Sequence, residues 1–106
     1  MITNLCTLFD SNYLDKGLVI YNSISKVSGN FHLYILAMDD RCYEVLLDLA
    51  LPYVTPIKLH EFETEEILKA KATRSRGEYC WMCMPPFIKY LLKNYNLDYC
   101  TEVDAD

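Results

Sequence analysis

No stretch of this sequence approaches the ~20 consecutive apolar residues that a membrane span requires, and its N-terminus has no basic-then-apolar leader. Basic charge is scarce: 10 Lys and Arg stand against 15 Asp and Glu, giving a formal charge of -5 and a pI near 4.9. That balance argues against a protein that neutralises a nucleic-acid backbone. Glycine is scarcer still. Gly17, Gly29 and Gly77 are too dispersed to form a phosphate-cradling loop, so a dinucleotide fold with such a loop lacks support. His32 and His60 pair with no Ser or Cys in a nucleophile arrangement, which leaves a triad hydrolase without its parts. Cysteine is not scarce, but Cys6, Cys42, Cys80, Cys83 and Cys100 are odd in number and three are scattered in apolar runs. They read as reduced, mostly buried thiols rather than a disulfide framework. The expectation is a soluble, cytoplasmic globular protein.

What is present is a core. The 106 residues are 52% apolar and 13% aromatic, enough for one packed domain and too much for disorder. Nine tyrosines suggest rings buried with their hydroxyls left wet.

Hydrophobic period sets the order of elements. Asn4 to Phe9 is a short apolar run ending in Asp10-Ser11-Asn12, a turn and cap cluster. Residues 12 to 28 carry Leu14, Leu18 and Tyr21 near helical spacing, closed by Ser28-Gly29-Asn30. Phe31 to Met38 is the near-continuous apolar pattern of a strand buried on both faces. Asp39-Asp40 caps a helix with Cys42, Val45, Leu46 and Leu49 on one side, stopped by Leu51-Pro52. Val54 to Leu59 reads as a third strand, placed at or near an edge by Pro56. Residues 61 to 72 form an acidic-then-basic helix, and Thr73 to Met84 reads as irregular. Pro85-Pro86 opens a last helix, and Tyr99 to Val103 is a fourth strand.

The resulting order, β-α-β-α-β-α-α-β, implies a Rossmann-like α/β fold: a mostly parallel sheet with helices on both faces. Ligands in such sheets bind beyond the carboxyl ends of the strands. Three strand ends carry carboxylates there: Asp10, Asp39-Asp40, and Asp104 with Asp106. The sequence stops just past its last strand, the pattern expected of the front half of a larger domain.

Each candidate residue has a plain reading beside its functional one. Asp104-Ala105-Asp106 offers two hard oxygen ligands to a divalent cation, or is an acidic tail. Asp10 is a possible helix N-cap, and Tyr13 a possible packing ring on the first helical turn. Arg74 and Arg76 suit bidentate contact with a phosphate, or are solvated loop charges, with Lys89 a weaker candidate of the same kind. Cys80-Trp81-Met82-Cys83 spells half a zinc site or a redox pair, but packed thiols flanking a buried Trp are the default.

The turn Thr7-Leu8-Phe9-Asp10-Ser11-Asn12-Tyr13, the following Gly17-Leu18-Val19-Ile20-Tyr21-Asn22-Ser23 and the late D-x-D resemble the nucleotide-binding half of nucleotide-sugar glycosyltransferases of the GT-A fold, family-8-like. The resemblance implies binding of a nucleotide-diphospho-sugar, UDP-linked, with Mn²⁺ or Mg²⁺, for transfer to a hydroxyl acceptor with retention at the sugar carbon. It implies that Asp10 accepts from the imino N–H of uracil, Tyr13 stacks on the base, Arg74 and Arg76 face the diphosphate, and Asp104 and Asp106 hold the metal, with Asp104 near the ribose. The sequence departs from that family in two places. Glu102 stands where relatives carry an apolar or aromatic residue in a central strand. The third metal ligand, a histidine, and the acceptor pocket are absent, so this chain alone is expected to be inactive. An open sheet edge invites a homodimer. The alternative is a non-catalytic nucleotide-binding or interaction module with an incidental acidic end. A C-x-x-C redox domain is a third reading.

Overall fold

The computed structural model describes residues 2–27 and 29–103. Among them, four strands form one all-parallel sheet in the order β3-β2-β1-β4, with helices on both faces: a Rossmann-like α/β architecture. β1 (Thr3–Phe9) and β2 (Phe31–Ala37) pair along their full length, from Thr3↔Phe31 to Phe9↔Ala37. β3 (Val54–Lys58) lies outside β2, and Pro56 sits on this edge strand, where its missing N–H costs no ladder bond on the open side. β4 (Thr101–Glu102) pairs with β1 through Leu5↔Thr101 and Cys6↔Glu102, a shorter strand than residues 99 to 103. Glu102 is therefore exposed on an edge strand of the described sheet rather than central, which removes the desolvation cost its carboxylate would otherwise carry.

Alternation along the strands divides the core between two faces. Leu33, Ile35 and Ala37 of β2 join Phe9 under α1 (Leu14–Val27) and α2 (Asp40–Leu49), which contributes Cys42 and Leu46. Tyr34, Leu36, Cys6 and Ile57 point the other way, against α3 (Leu59–Phe62), α4 (Glu65–Ala72) and α5 (Arg76–Asn94). Phe87 is fully buried at the centre of that second face, edge-on to Phe62 and stacked beside Tyr90. α1 packs closely on β1 because residue 17 is glycine: an added Cβ would overlap the Phe9 ring. α2 ends on Ala50 in the left-handed region (φ 46), whose N–H reaches back to the carbonyls of Leu46 and Leu47.

The structure corrects the sequence reading at several boundaries. A 3-10 turn, Ser11–Tyr13, precedes α1, which begins at Leu14. The helix expected over 61 to 72 is two, α3 and α4, because Thr64 is an N-cap whose hydroxyl accepts from Ile67 N–H. The larger correction concerns residues 73 to 84. Most of that stretch is helical, and α5 starts at Arg76, so Pro85 and Pro86 lie inside it instead of opening it. A reciprocal capping box starts α5: Glu78 N–H donates to Ser75 Oγ (3.2 Å) and Ser75 N–H to Glu78 Oε1 (2.9 Å). Pro85 and Pro86 lack the N–H groups that the carbonyls of Trp81 and Met82 would accept. The helix continues because Tyr79, Cys83, Phe87 and Leu91 bury one unbroken stripe across the proline pair.

Candidate functional site

β1 and β2 end side by side, and each delivers an aspartate as its next helical element's N-cap. Asp10 Oδ1 accepts from Asn12 N–H (2.9 Å), which closes the 3-10 turn. Asp39 Oδ1 accepts from Cys42 N–H (2.7 Å), while its Oδ2 accepts from Ser11 N–H (3.1 Å) and Ser11 Oγ (2.9 Å). The second cap thus also grips the turn made by the first. Arg76, in the first turn of α5, reaches both: its Nη2 donates to Asp10 Oδ2 at 2.7 Å and lies 3.8 Å from Asp39 Oδ2. One guanidinium so ties together the ends of β1, β2 and α5. Burial alone would raise the Asp39 pKa, but the hydrogen bonds from Cys42 and Ser11, with Arg76 nearby, outweigh it and hold the carboxyl below its ordinary value. Behind the pair, burial pushes the Cys42 thiol up to about 12, and its Sγ lies 3.5 Å from the Phe9 carbonyl.

Two hollows lie beside the Asp10–Arg76 pair, Asp10 lining the larger and Arg76 the smaller. The larger, about 590 Å³, opens between the ends of β1 and β4; its walls include Thr7, Asp10, Tyr13, Trp81, Glu102 and Val103. Thr7 is buried, and its Oγ1 has no hydrogen-bond partner among the described residues. Tyr13 is half-exposed, with Lys16 Nζ 5.0 Å from its ring centroid, so a stacking ring has to use the other face or displace the ammonium. Gly77 borders the same space, and a Cβ there would meet nothing within 4 Å. A helical glycine costs about 1 kcal/mol relative to alanine, and no crowding among the described residues accounts for it.

The smaller hollow, about 400 Å³, lies on the other side, beside Asp39, Lys71, Arg74, Arg76 and Tyr79. Two of its cations are already engaged, Arg76 with Asp10 and Lys71 with Glu63 (3.1 Å). The Glu63 side chain is 2% exposed and also accepts a short hydrogen bond from Tyr79 OH, while its Oε1 has no partner; His60 Nδ1 lies 3.4 Å away without bonding to it. Burial and the adjacent carboxylate raise the Tyr79 pKa. Arg74 is exposed and makes no ion pair among the described residues.

Of the residues singled out from sequence, the fold brings Asp10, Tyr13 and Arg76 to one place and sets Arg74 beside it, on the smaller hollow. Asp104 and Asp106 lie outside the described residues. Among the described residues there is no group of three His, Cys, Asp or Glu side chains that could hold a metal. The plain reading of Asp10 as a cap is present, with an ion pair added. Cys80 and Cys83 lie one turn apart within α5 rather than after an irregular segment. Burial raises both thiols, Cys83 to about 11, the opposite of an activated redox pair. All five cysteines are free. The Trp expected to be buried between them, Trp81, is instead 86% exposed. Trp81 and Gly77 are the site residues sequence reasoning missed, whereas Asp39 was read as a helix cap and strand-end carboxylate. The S-x-x-E at Ser75–Glu78 was the signal that would have placed both on one helical face.

Among the described residues, no helix is long and apolar enough to cross a membrane. The chain is similar to two curated proteins of Bacillus subtilis (strain 168). It is 33% identical to uncharacterized protein YfnD over 94% of its own length and 30% identical to uncharacterized protein YfnF over all of it. It spans about a third of each, 32% and 35%. No protein-family model and no solved structure matches it.

Proposed function

We propose that the chain is the nucleotide-binding part of a nucleotide-sugar glycosyltransferase, taking a UDP-sugar for transfer to a hydroxyl acceptor. One observation carries this reading. The chain runs outward from β1 to β2 and β3, then returns to place β4 on the other side of β1, and the larger hollow lies beyond the carboxyl ends of β1 and β4. That is the switch point at which parallel α/β sheets bind ligands. There Asp10 offers lone pairs to an N–H donor beside the Tyr13 ring, and the diphosphate would extend toward Arg76 and Arg74, which line the adjoining smaller hollow. When bound by Asp104 and Asp106, Mn²⁺ or Mg²⁺ would neutralise the diphosphate and stabilise the leaving nucleotide. On this reading the protein is cytoplasmic, acts with retention, completes its acceptor side with residues beyond this chain, and uses its open sheet edge for pairing with a second copy.

A second reading is favoured by the state of Asp10. Both of its oxygens already accept a hydrogen bond, and its charge is matched by Arg76, as in a non-catalytic nucleotide-binding or interaction module. Amide NMR separates the two. The glycosyltransferase reading expects UDP, and not GDP, to shift the amides around Asp10 and Tyr13 in a Mg²⁺-dependent way, with trace Mn²⁺ broadening residues 104–106. Metal-independent shifts, or none with any nucleotide, would leave the second reading.

A further inference from the structure

β1 and β4 bring two of the five thiols together. The register pairs Leu5 with Thr101 and Cys6 with Glu102, so Cys100, two residues before Glu102, stands diagonal to Cys6 on the same face of the sheet. Both belong to the core under α5, Cys6 as one of its fully buried residues and Cys100 as a partly buried residue packed against it. Their side chains are in hydrogen-bond contact, with the Cys6 S–H donating to the Cys100 sulfur. The strand that follows Cys100 is the shortest among the described residues and is held to β1 through Thr101 and Glu102 alone.

The two thiols are not equivalent. Cys6 is 0% exposed, whereas Cys100 keeps part of its surface in solvent, so a reagent reaches Cys100 first. Ionisation follows the same order. The hydrogen bond from Cys6 holds the Cys100 thiol below its ordinary value against the opposing effect of burial. That same bond, then burial and the charges of Cys100 and Glu102, push Cys6 up. The thiols of Cys42, Cys80 and Cys83 are each raised, chiefly by burial. We propose that Cys100 and Cys6 form a modification site for low-molecular-weight disulfides, with Cys100 as the attacking thiol and Cys6 as the resolving one. The Cys100 thiolate attacks one sulfur of the reagent, forming a mixed disulfide at Cys100 and expelling one small thiolate, which takes up the proton that Cys100 lost. With Cys100 capped, the hydrogen bond and the charge that held the Cys6 proton are gone, and only burial and Glu102 still oppose its release. Cys6 then gives up that proton and attacks the Cys100 sulfur, forming the Cys6–Cys100 bond and releasing the second small thiol. Two protein thiols are oxidised and one reagent disulfide is reduced to two thiols. The product fastens β4 to β1 and fixes Glu102 and Val103, which form one wall of the larger hollow. None of this chemistry depends on what that hollow binds.

The reduced 106-residue chain is exposed to oxidised glutathione under native conditions, quenched in acid, blocked with iodoacetamide and mapped by mass spectrometry. The wild type is expected to lose two hydrogens, with the peptides of Cys6 and Cys100 joined before those of any other two cysteines. Cys6→Ala should stop at a glutathionyl group on Cys100, and Cys100→Ser should leave Cys6 unmodified. Without oxidant, a brief pulse of iodoacetamide should label Cys100 several-fold faster than Cys80, the other partly exposed thiol. Joining residues so far apart in sequence restricts the unfolded chain, so the joined protein should unfold at a higher urea concentration than the reduced one. A first bond between another pair, a glutathionyl group that persists on Cys100 of the wild type, no reaction at Cys100, or labelling of Cys80 as fast as Cys100 overturns the proposal. A joined chain that unfolds at the same urea concentration as the reduced one overturns the fastening of β4. Cys6→Ala opens space in the core; if it does not fold, the wild-type map and the labelling pulse decide without it, since both are read on the unaltered chain.

Discussion

The two faces of the sheet are built differently. On the α1–α2 face every helix starts or stops on a local signal: Asp10 and Asp39 cap, Gly17 admits Phe9, and Ala50 closes α2. On the α3–α5 face local signals conflict, with Thr64 splitting one acidic helix and two prolines lying within another. There the order comes from a larger buried cluster centred on Phe87. One face is specified by its boundaries and the other by its filling. Both meet at Arg76, which leaves the second face to bind the caps of the first.

The comparison breaks most visibly if the filling is removed. Phe87→Ala, at a fully buried ring, should cost about 3–5 kcal/mol in urea unfolding, a large share of the ~5–15 kcal/mol a domain possesses. Leu46→Ala on the opposite face should cost less, about 2–4 kcal/mol. Equal losses would show that the two faces depend on packing to the same degree.

A boundary residue gives the next effect. Gly17→Ala improves helix propensity yet forces a methyl into the buried Phe9 ring, and should destabilise by about 1–3 kcal/mol in the same assay. A gain in stability would mean that Phe9 gives way freely and that α1 is held by propensity rather than fit.

The smallest effect tests the meeting point. The Asp39 pKa is lowered in the folded chain, so between the folded and unfolded values the unfolded state binds more protons and stability rises with pH. The contribution is fully present above the unfolded value of ~4 and is lost as pH falls through the folded one. Asp39→Asn keeps a capping oxygen but removes the charge. Asp39→Asn should therefore be less stable than the wild type at neutral pH, and the acid limb of its unfolding curve should be flatter below about pH 4, so that the two converge in acid.

Legibility followed the same division. Sequence period located β1, β2, α2 and the edge position of β3, because each is bounded by residues whose own chemistry ends an element. It failed at α5, where Pro85-Pro86 looked like a start. The cost of proline inside a helix is offset by tertiary burial of Phe87 and Leu91, a term invisible to a local reading. That error also concealed the exposed face of Trp81. Asp10 and Tyr13 were legible as a turn, but the ion pair joining Asp10 to Arg76 depends on a crossing of the chain that no short window contains.

The strand order has a consequence for how the chain comes together in time. β1 pairs with β2 as soon as residue 37 is available, and β3 follows. The other side of β1 pairs only through Thr101 and Glu102, so during vectorial synthesis it stays open until residue 102 has emerged.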